Sequence, residues 1–213
     1  MTEAGGIVYL VDDDPRVREA LSELLASLNI EHVTFGSAAE YLEFVRTSPR
    51  QEKCACLVLD VHLPDINGLE LQRQLADGSG PPIVFISGHG DIPSTVRAIK
   101  AGAVEFLTKP LHHEAFLAAI RAAFTQDLEQ RRKTADLADL QRRFGLLTPR
   151  EREVLPLIAG GMLNKQAAAA LGITDVTLQV HRGQIMRKME ADSFADLVRM
   201  AGKLGIPEPE RPL

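Results

Sequence analysis

Short apolar runs alternate with helical patterns through the first 125 residues of the chain. The runs are rich in β-branched residues and predict buried strands, while the segments between them carry apolar residues at helical spacing. The predicted strands are IVYLV (7–11), EHVTF (31–35), CLVLDV (56–61), PIVFIS (82–87) and VEFL (104–107). Five strand-then-helix units with nearly continuous apolar strands predict an α/β domain in which helices cover both faces of a parallel sheet.

The end of each predicted strand carries the first chemical signal. Right-handed crossovers favour a doubly wound sheet in the order 2-1-3-4-5, whose ligand crevice lies at the carboxyl ends of strands 1 and 3. Asp12 and Asp13 follow strand 1, and Asp60 lies near the end of strand 3. We therefore expect these three carboxylates to meet at one edge of the sheet.

The rest of the chain shows helical patterns alone. Residues 112–144 predict one long helix or a helix with a frayed middle, and the part from 126 onward is interpreted as a linker. This linker either pairs with its twin in a dimer or is a solvated connector. The further predicted helices are 149–159, 164–171, 175–189 and 193–203. A short helix, a tight turn with glycine and a helix bearing cations are typical of a helix-turn-helix.

This pattern predicts four segments along the 213 residues. They are an α/β domain (1–125), a helical linker (126–144), an all-α four-helix domain (145–205) and a flexible tail (206–213). Pro-rich composition from Pro207 onward is the reason for expecting an unfolded tail.

The net charge of −5 hides an asymmetry along the chain. Residues 1–125 contain 10 Lys and Arg against 17 Asp and Glu, whereas residues 145–213 contain 9 against 8. The acidic first domain cannot itself attract nucleic acid, but local basic patches in the second can. One such patch is segment 176–189, which has three cations and no acid.

Composition also bears on location and on the two cysteines. No apolar run approaches the roughly 18 residues of a membrane span, and the first residues lack the features of a secretory signal. We therefore expect a cytoplasmic protein that makes no membrane contact. Cys54 and Cys56 are interpreted as structural residues, because two thiols alone make a poor zinc site.

The predicted acidic crevice has a specific chemistry. Clustered carboxylates repel one another, so a divalent cation is expected there, and Mg²⁺ fits because it needs few protein ligands. An Asp beside Mg²⁺ can attack a phosphoryl group and form an acyl phosphate. The charge that develops on the phosphoryl oxygens then needs a cation and a hydroxyl. Lys109, after strand 5, and Ser87, ending strand 4, can supply them.

Residues 5–125 resemble the receiver domain of response regulators. The similarity lies in VDDD, LVLDVHLPDINGLEL, FISGHGD and AVEFLTKP. It implies a flavodoxin-like fold, with Asp60 as the phosphoacceptor for a sensor histidine kinase. It also implies that Asp13, Asp60 and the main-chain oxygen of His62 bind Mg²⁺ directly, while Asp12 acts mainly through water.

The same resemblance implies a switch. Lys109 is expected to contact the phosphoryl group, and the Lys109–Pro110 bond is expected to be cis. Ser87 and Phe106 correspond to the switch pair of the family: the phosphoryl group recruits the Ser87 hydroxyl, and Phe106 turns into the vacated space. His62 and His89 flank this site. The alternative interpretation of Phe106 is a fixed core residue.

The second half of the chain contains the segment LTPREREVLPLIAGGMLNKQAAAALGITDVTLQVHRGQIMRKM. Because of this segment, residues 145–205 resemble the LuxR-type four-helix domain of NarL/FixJ regulators. The resemblance implies that 164–171 is the scaffold helix and that 175–189 is the recognition helix in the major groove. The residues expected to contact DNA are Lys165, Thr177, Gln179, Val180, His181, Arg182, Arg187 and Lys188. Of these, Gln179 and Arg182 are expected to reach base edges. Gly183 departs from relatives that have a side chain there, at a cost of roughly 1 kcal/mol relative to Ala.

Together these features predict a response regulator that acts as a transcription factor. Phosphorylation of Asp60 is expected to promote homodimerisation and binding to an operator with two half-sites, with RNA polymerase as a further candidate partner and activation as the output. The sequence leaves three alternatives: a phosphatase or mutase of the haloacid dehalogenase type, a DNA-binding protein with a degenerate receiver, and a LuxR protein that senses a small molecule. The first lacks a second Asp two positions beyond Asp60, where His62 stands instead.

Overall fold

The structure of the chain, a computed structural model, describes residues 5–48, 53–75, 80–88 and 92–206. It divides into two units between Gln130 and Arg131. His89 and the predicted tail from Pro207 lie outside the described residues. Among the helices that are described, none is long and apolar enough to cross a membrane.

The first unit contains the predicted parallel sheet. Its strands are β1 (Ile7–Val11), β2 (Glu31–Phe35), β3 (Ala55–Asp60), β4 (Ile83–Ser87) and β5 (Glu105–Thr108). The order is β2-β1-β3-β4-β5 and every pairing is parallel, which confirms the doubly wound topology. The third, fourth and fifth strands each differ by one residue from the prediction at one or both ends, as is usual for element boundaries.

Five helices surround or leave the sheet. They are α1 (Pro15–Ser27), α2 (Ala38–Thr47), α3 (Gly68–Gln74), α4 (Ile92–Lys100) and α5 (His113–Gly145). Asp14 caps α1 by accepting a hydrogen bond from the main chain of Arg16 at 2.9 Å. Ser37 caps α2 through the N–H of Glu40, but the Glu40 carboxylate accepts from Gly36 rather than from Ser37. The start of α2 therefore has the side-chain cap of Ser37 but not the reciprocal bond of a full capping box.

Alternate residues of the strands build two separate cores, one on each face of the sheet. Tyr9, Leu57 and Phe85 belong to the core on one face, and Leu10 and Val58 belong to the core on the other. The two cysteines are free and buried, so the interpretation of them as structural residues holds. Because both faces are covered, polar chemistry in this unit is left to the sheet edges and the loops.

Helix α5 is continuous through the segment interpreted as a linker. Near its start, the buried Asp127 carboxylate accepts a hydrogen bond from the main chain of Ala55 at 2.9 Å, which ties the segment to the first unit. Near its end, Leu140 and Phe144 pack in the core of the second unit. Leu137, which lies between Asp127 and Leu140 along the helix, remains 38% exposed. The segment 126–144 is thus helical, but both of its ends are parts of the flanking units.

The second unit is helical, as predicted. It comprises the end of α5 followed by α6 (Pro149–Ala159), α7 (Asn164–Ala170), α8 (Asp175–Met189) and α9 (Phe194–Lys203). Thr148 and Glu151 form a complete capping box at the start of α6. Gly172 has a φ of +64° in the turn between α7 and α8, a conformation that favours glycine. The core residues are Leu140, Leu147, Val154, Leu155, Ile158, Leu178, Ile185, Met189 and Leu197, with buried alanines in α7.

Candidate functional site

The three acids predicted to meet do lie together at the carboxyl edge of the sheet. Asp12 follows β1 and is fully buried, Asp60 ends β3 and is 5% exposed, and Asp13 is exposed. One carboxylate oxygen from each lies within 4.8 Å of the others. The parallel register explains this arrangement, since it places Val11 beside Leu59 and brings both strand ends to the same level.

Lys109 follows β5, the outermost strand on the other side of β3 from β1, and its side chain reaches the acidic cluster. Its Nζ donates to Asp12 Oδ2 and to Asp60 Oδ2, each at 2.6 Å. The second carboxylate oxygen of each acid accepts a main-chain hydrogen bond at 2.9 Å, from Asp14 for Asp12 and from His62 for Asp60. The peptide bond between Lys109 and Pro110 is cis, as expected. The lysine therefore bridges two acids that come from different strands.

The electrostatics of the cluster follow from its burial. Burial raises the pKa of the Asp12 carboxyl above its usual value, although the hydrogen bond from Lys109 acts in the opposite direction. Burial lowers the pKa of the Lys109 ammonium, but its hydrogen bonds to Asp12 and Asp60 outweigh this effect and leave the pKa raised. Lys109 is thus cationic at neutral pH. A single lysine cannot balance three carboxylates, so the cluster favours an additional cation.

The donor set fits Mg²⁺. Three carboxylates offer the hard oxygen ligands that this ion prefers, and exposed Asp13 leaves one side open to water. Arg18, from α1, holds the acidic loop through its main chain, because Nη1 donates to the carbonyl oxygens of Asp12 and Asp13 at 2.6 and 3.1 Å. His62 is exposed just beyond β3. The part of its main-chain oxygen in binding the ion stays a prediction.

The two residues predicted to form the switch lie on adjacent strands. Ser87 ends β4 and is fully buried, and its carbonyl oxygen accepts from the main chain of Lys109 at 2.8 Å. Phe106 on β5 is half-buried and packs near Phe85, with the ring centroids 6.1 Å apart. Phe106 packs against the core without being fully buried, and its role in switching stays a prediction.

Gly68 allows the start of α3 to pack closely against the main chain of Asp60 and Val61. The sequence analysis did not identify this glycine as part of the site. A Cβ atom at this position would lie 2.3 Å from the carbonyl oxygen of Asp60 and 3.2 Å from Cα of Val61. The N–H of Gly68 also donates to the carbonyl oxygen of Val61 at 2.9 Å. The sequence signal was present in the Asn-Gly pair after β3, but only the folded chain shows what the glycine approaches.

Gly68→Ala is therefore expected to lower the stability of the first unit. The added methyl group must displace backbone rather than a flexible side chain, and forced overpacking of this kind costs about 1–3 kcal/mol. Urea unfolding of the full chain measures the effect. Gly88→Ala is the matched control, because a Cβ there meets nothing within 4 Å among the residues that the structure describes. Equal unfolding midpoints for the two variants would contradict the role given to Gly68.

The second predicted site lies on helix α8. Thr174 caps its start by accepting from the N–H of Thr177 at 3.2 Å. Thr177 and Gln179 are exposed, Val180 is 57% exposed, and His181 is half-buried. Val180 thus lies outside the core, since the buried residues of the helix lie on the opposite side. Lys165 on α7 and Arg187 near the end of α8 are also exposed.

Two of the residues predicted to contact DNA, Arg182 and Lys188, also have partners within the second unit, and their contacts with DNA stay a prediction. The Arg182 guanidinium lies over the Phe194 ring, 4.2 Å from its centroid, and donates to Asn164 Oδ1 at 3.1 Å. Lys188 Nζ donates to Glu151 Oε2 at 2.6 Å. Burial raises the pKa of the Glu151 carboxyl, but the hydrogen bonds from Lys188 and Thr148 outweigh it and lower the pKa. Sequence reasoning missed these contacts because their partners lie 12 to 37 residues away along the chain.

Arg182→Ala is expected to destabilise the second unit by about 1–3 kcal/mol. The change removes a cation–π contact worth roughly 0.5–2 kcal/mol and a hydrogen bond worth about 1 kcal/mol. Urea unfolding followed by circular dichroism measures the loss. Arg187→Ala is the matched control, since Arg187 is an exposed arginine on the same helix. If both variants unfolded at the same urea concentration, the packing role of Arg182 would be refuted.

Comparison with known proteins gives matches over both units. Residues 8–121 match the family described as response regulator receiver domain, and residues 145–201 match bacterial regulatory proteins of the luxR family. Nodulation protein W of Bradyrhizobium diazoefficiens is 46% identical over 208 residues, covering 96% of this chain and 90% of that protein. Transcriptional regulatory protein FixJ of Azorhizobium caulinodans is 40% identical over 200 residues, covering 93% of each chain. The solved structure of the response regulator StyR has a TM-score of 0.77 at 47% identity, covering 94% of this chain and 100% of that one.

Proposed function

Because the chain belongs to the bacterial response regulators that join a receiver domain to a LuxR-type DNA-binding domain, we propose that phosphorylation of Asp60 controls its binding to DNA. The observation that supports this proposal is the bridge from Lys109 to Asp12 and Asp60. In this bridge the Asp12 and Asp60 carboxylates each lie within hydrogen-bond distance of the Lys109 ammonium, an arrangement that supports Asp60 as the nucleophile, Asp12 as a further acid near the metal ion and Lys109 as the cation for the phosphoryl oxygens.

The phosphoryl group comes from the phosphohistidine of a sensor histidine kinase. An oxygen of the Asp60 carboxylate forms the new O–P bond as the N–P bond to the imidazole breaks. Lys109 then exchanges its contact with Asp60 for one with the phosphoryl oxygens, and the Ser87 hydroxyl donates to another oxygen. The receiver catalyses only its own phosphorylation and its own slow dephosphorylation, without turning over an external substrate.

Mg²⁺ belongs to this site in our proposal. Asp13, Asp60 and the main-chain oxygen of His62 hold it directly, and Asp12 acts mainly through water. When bound, the ion offsets negative charge on the carboxylates and on the incoming phosphoryl group. The carboxylate cluster supports this assignment.

Dimerisation couples the two units. Helix α4 exposes Ile92, which is 79% exposed, together with Val96 and Ile99. Helix α4 contacts β5, the strand that carries Phe106, and burial of such an apolar patch between two copies favours a homodimer. A dimer presents two recognition helices to two operator half-sites.

The exposed residues of the second unit make the DNA contacts. We assign direct contacts to Lys165, Thr177, Gln179, Val180 and Arg187, with His181 at the edge of the interface. Arg182 and Lys188 stabilise α8 through their contacts with Phe194, Asn164 and Glu151. Contacts of the same two side chains with phosphates or bases remain part of the proposal. RNA polymerase is a further proposed partner, with activation of transcription as the output.

Incubation with radiolabelled acetyl phosphate tests the phosphoacceptor chemistry. We expect the protein to take up label in the presence of Mg²⁺, to lose it on treatment with hydroxylamine as an acyl phosphate does, and to take up none after addition of EDTA. The dependence on the ion follows from the uncompensated charge of the carboxylates. A label that resists hydroxylamine, or that forms equally well in EDTA, would contradict the proposal.

A further inference from the structure

Helix α8 carries an exposed row of residues with little polar character. At 100° per residue, Val176, Val180, Gly183 and Arg187 fall along one line of the helix surface. The buried residues on the opposite side are Leu178, Ile185 and Met189. Val176 is 71% exposed and Val180 is 57% exposed, although valine ordinarily prefers the interior. We call Val176, Val180 and Gly183 the apolar row.

Gly183 adds a second and independent observation. It lies inside a helix of 15 residues, where glycine costs roughly 1 kcal/mol relative to alanine. A Cβ atom at this position meets nothing within 4 Å among the described residues. No neighbour within the second unit therefore requires a glycine here. The missing side chain instead leaves room for a molecule outside the chain to approach the helix closely.

The chemistry around the apolar row points to the occupant. Segment 176–189 has no acidic residue, and Arg187 ends the row with a cation. The row therefore suits a polyanion that also offers apolar groups. In the major groove of DNA the apolar group at the base edges is the thymine methyl. Valine side chains one helical turn apart can contact methyl groups of nearby base pairs.

We propose that the apolar row reads thymine methyl groups in the operator, with Val176 and Val180 as specificity-determining residues and Gly183 as the point of closest approach to the duplex. This inference rests on the proposed function, because it requires α8 to enter the major groove. It goes further than the proposed function because it names the chemical group of DNA that α8 recognises. A helix can dock on DNA through phosphate contacts and Gln179 without sensing methyl groups at all.

The test begins with selection of duplexes from a random-sequence library by the full chain, treated with beryllofluoride and Mg²⁺. Each thymine of the selected duplex is then replaced singly by deoxyuridine, which removes only the methyl group. We expect at least one replacement to weaken binding by wild type about fourfold, the effect of one methyl-sized apolar group. The same replacement is expected to leave the affinity of Val176→Ala or Val180→Ala unchanged, because those variants have already lost the contact.

Two further variants complete the design. Val198→Ala, on α9, is the matched control, since Val198 is a partly exposed valine outside the apolar row; it should keep the wild-type response to deoxyuridine. Gly183→Ala should raise the unfolding temperature, because alanine favours the helix. It should nevertheless bind the selected duplex about tenfold more weakly, because its Cβ occupies space that the duplex needs.

The possible results distinguish failure of this inference alone from failure of the proposed function as well. If the library yields no preferred sequence, sequence-specific binding fails and the inference fails with it. If a sequence is selected but no deoxyuridine replacement matters, or each matters equally in the alanine variants, the inference alone is overturned. It is also overturned if Gly183→Ala is more stable and binds as wild type does. A change in oligomeric mass with unchanged affinity in the valine variants would assign the row to contact between copies instead.

Discussion

Asp60→Asn should abolish the incorporation of phosphoryl groups from acetyl phosphate. The amide oxygen that replaces the carboxylate is too weak a nucleophile to form an acyl phosphate, and Asp12, the other acid that Lys109 contacts, is fully buried. The variant should still fold. Asparagine keeps an oxygen that can accept from the main chain of His62, and Lys109 keeps its bond to Asp12.

Radiolabel uptake in Mg²⁺ measures this effect, and Asp14→Asn is the matched control. Asp14 belongs to the same run of acids, but its side chain caps α1, a task that asparagine performs equally well. The control should therefore label at the wild-type rate. Label that persisted on Asp60→Asn would refute the assignment of the phosphoacceptor, whereas loss of label in both variants would show that the run of acids matters as a whole.

Lys109→Met should have the second largest effect, a fall of roughly 100-fold in the rate of labelling. Methionine keeps most of the volume of lysine but supplies no charge, and removing one donor that stabilises developing negative charge typically costs this much. The ammonium also holds Asp12 and Asp60 at 2.6 Å in the unphosphorylated protein. Without it, the pKa of buried Asp12 should rise further, since burial then acts without its principal opposing contact.

The initial rate of label uptake at saturating Mg²⁺ measures the change. Lys100→Met is the control, because Lys100 is an exposed lysine at the end of α4, away from the acids. It should label at the wild-type rate. A rate for Lys109→Met within about twofold of the control would mean that the lysine is a structural partner of the acids and takes no part in phosphoryl transfer.

The sheet edge was predictable because its geometry follows from local patterns. Apolar runs fix where strands end, and parallel topology then brings the ends of β1, β3, β4 and β5 to the same side of the sheet. Asp12, Asp60, Ser87 and Lys109 could be placed there without knowledge of any contact. Their detailed bonding could not. The bridge from Lys109 joins residues that are 97 and 49 positions apart, and its formation depends on side-chain packing.

The long helix shows a second limit of sequence reasoning. The stripe of apolar residues weakens after Leu128, which suggested a separate linker. The structure instead ties Asp127 to the edge of β3 through a buried hydrogen bond and packs Leu140 into the second unit. A polar residue used as a tertiary anchor looks the same in sequence as a solvated one, so the pattern alone could not place the boundary.

Helix α8 shows where helical periodicity succeeds and fails. Ile185 and Met189 lie at helical spacing and both pack in the core, as periodicity predicts. Periodicity could not distinguish Arg182 from Arg187, because both are cations on a helix with an exposed face. The difference comes from Phe194, which belongs to another helix and whose ring lies against the Arg182 guanidinium. The exposure of Val180 follows from its position opposite the core, which periodicity could have shown.

The central claim is that a phosphoryl group on Asp60 changes how the chain binds DNA. The most direct measurement is the affinity of the full chain for duplex DNA, together with its oligomeric mass, before and after addition of beryllofluoride and Mg²⁺. Beryllofluoride imitates the phosphoryl group. We expect wild type to bind more tightly and to double in mass, while Asp60→Asn changes in neither respect. An identical response from Asp60→Asn, or no response from wild type, would contradict the account.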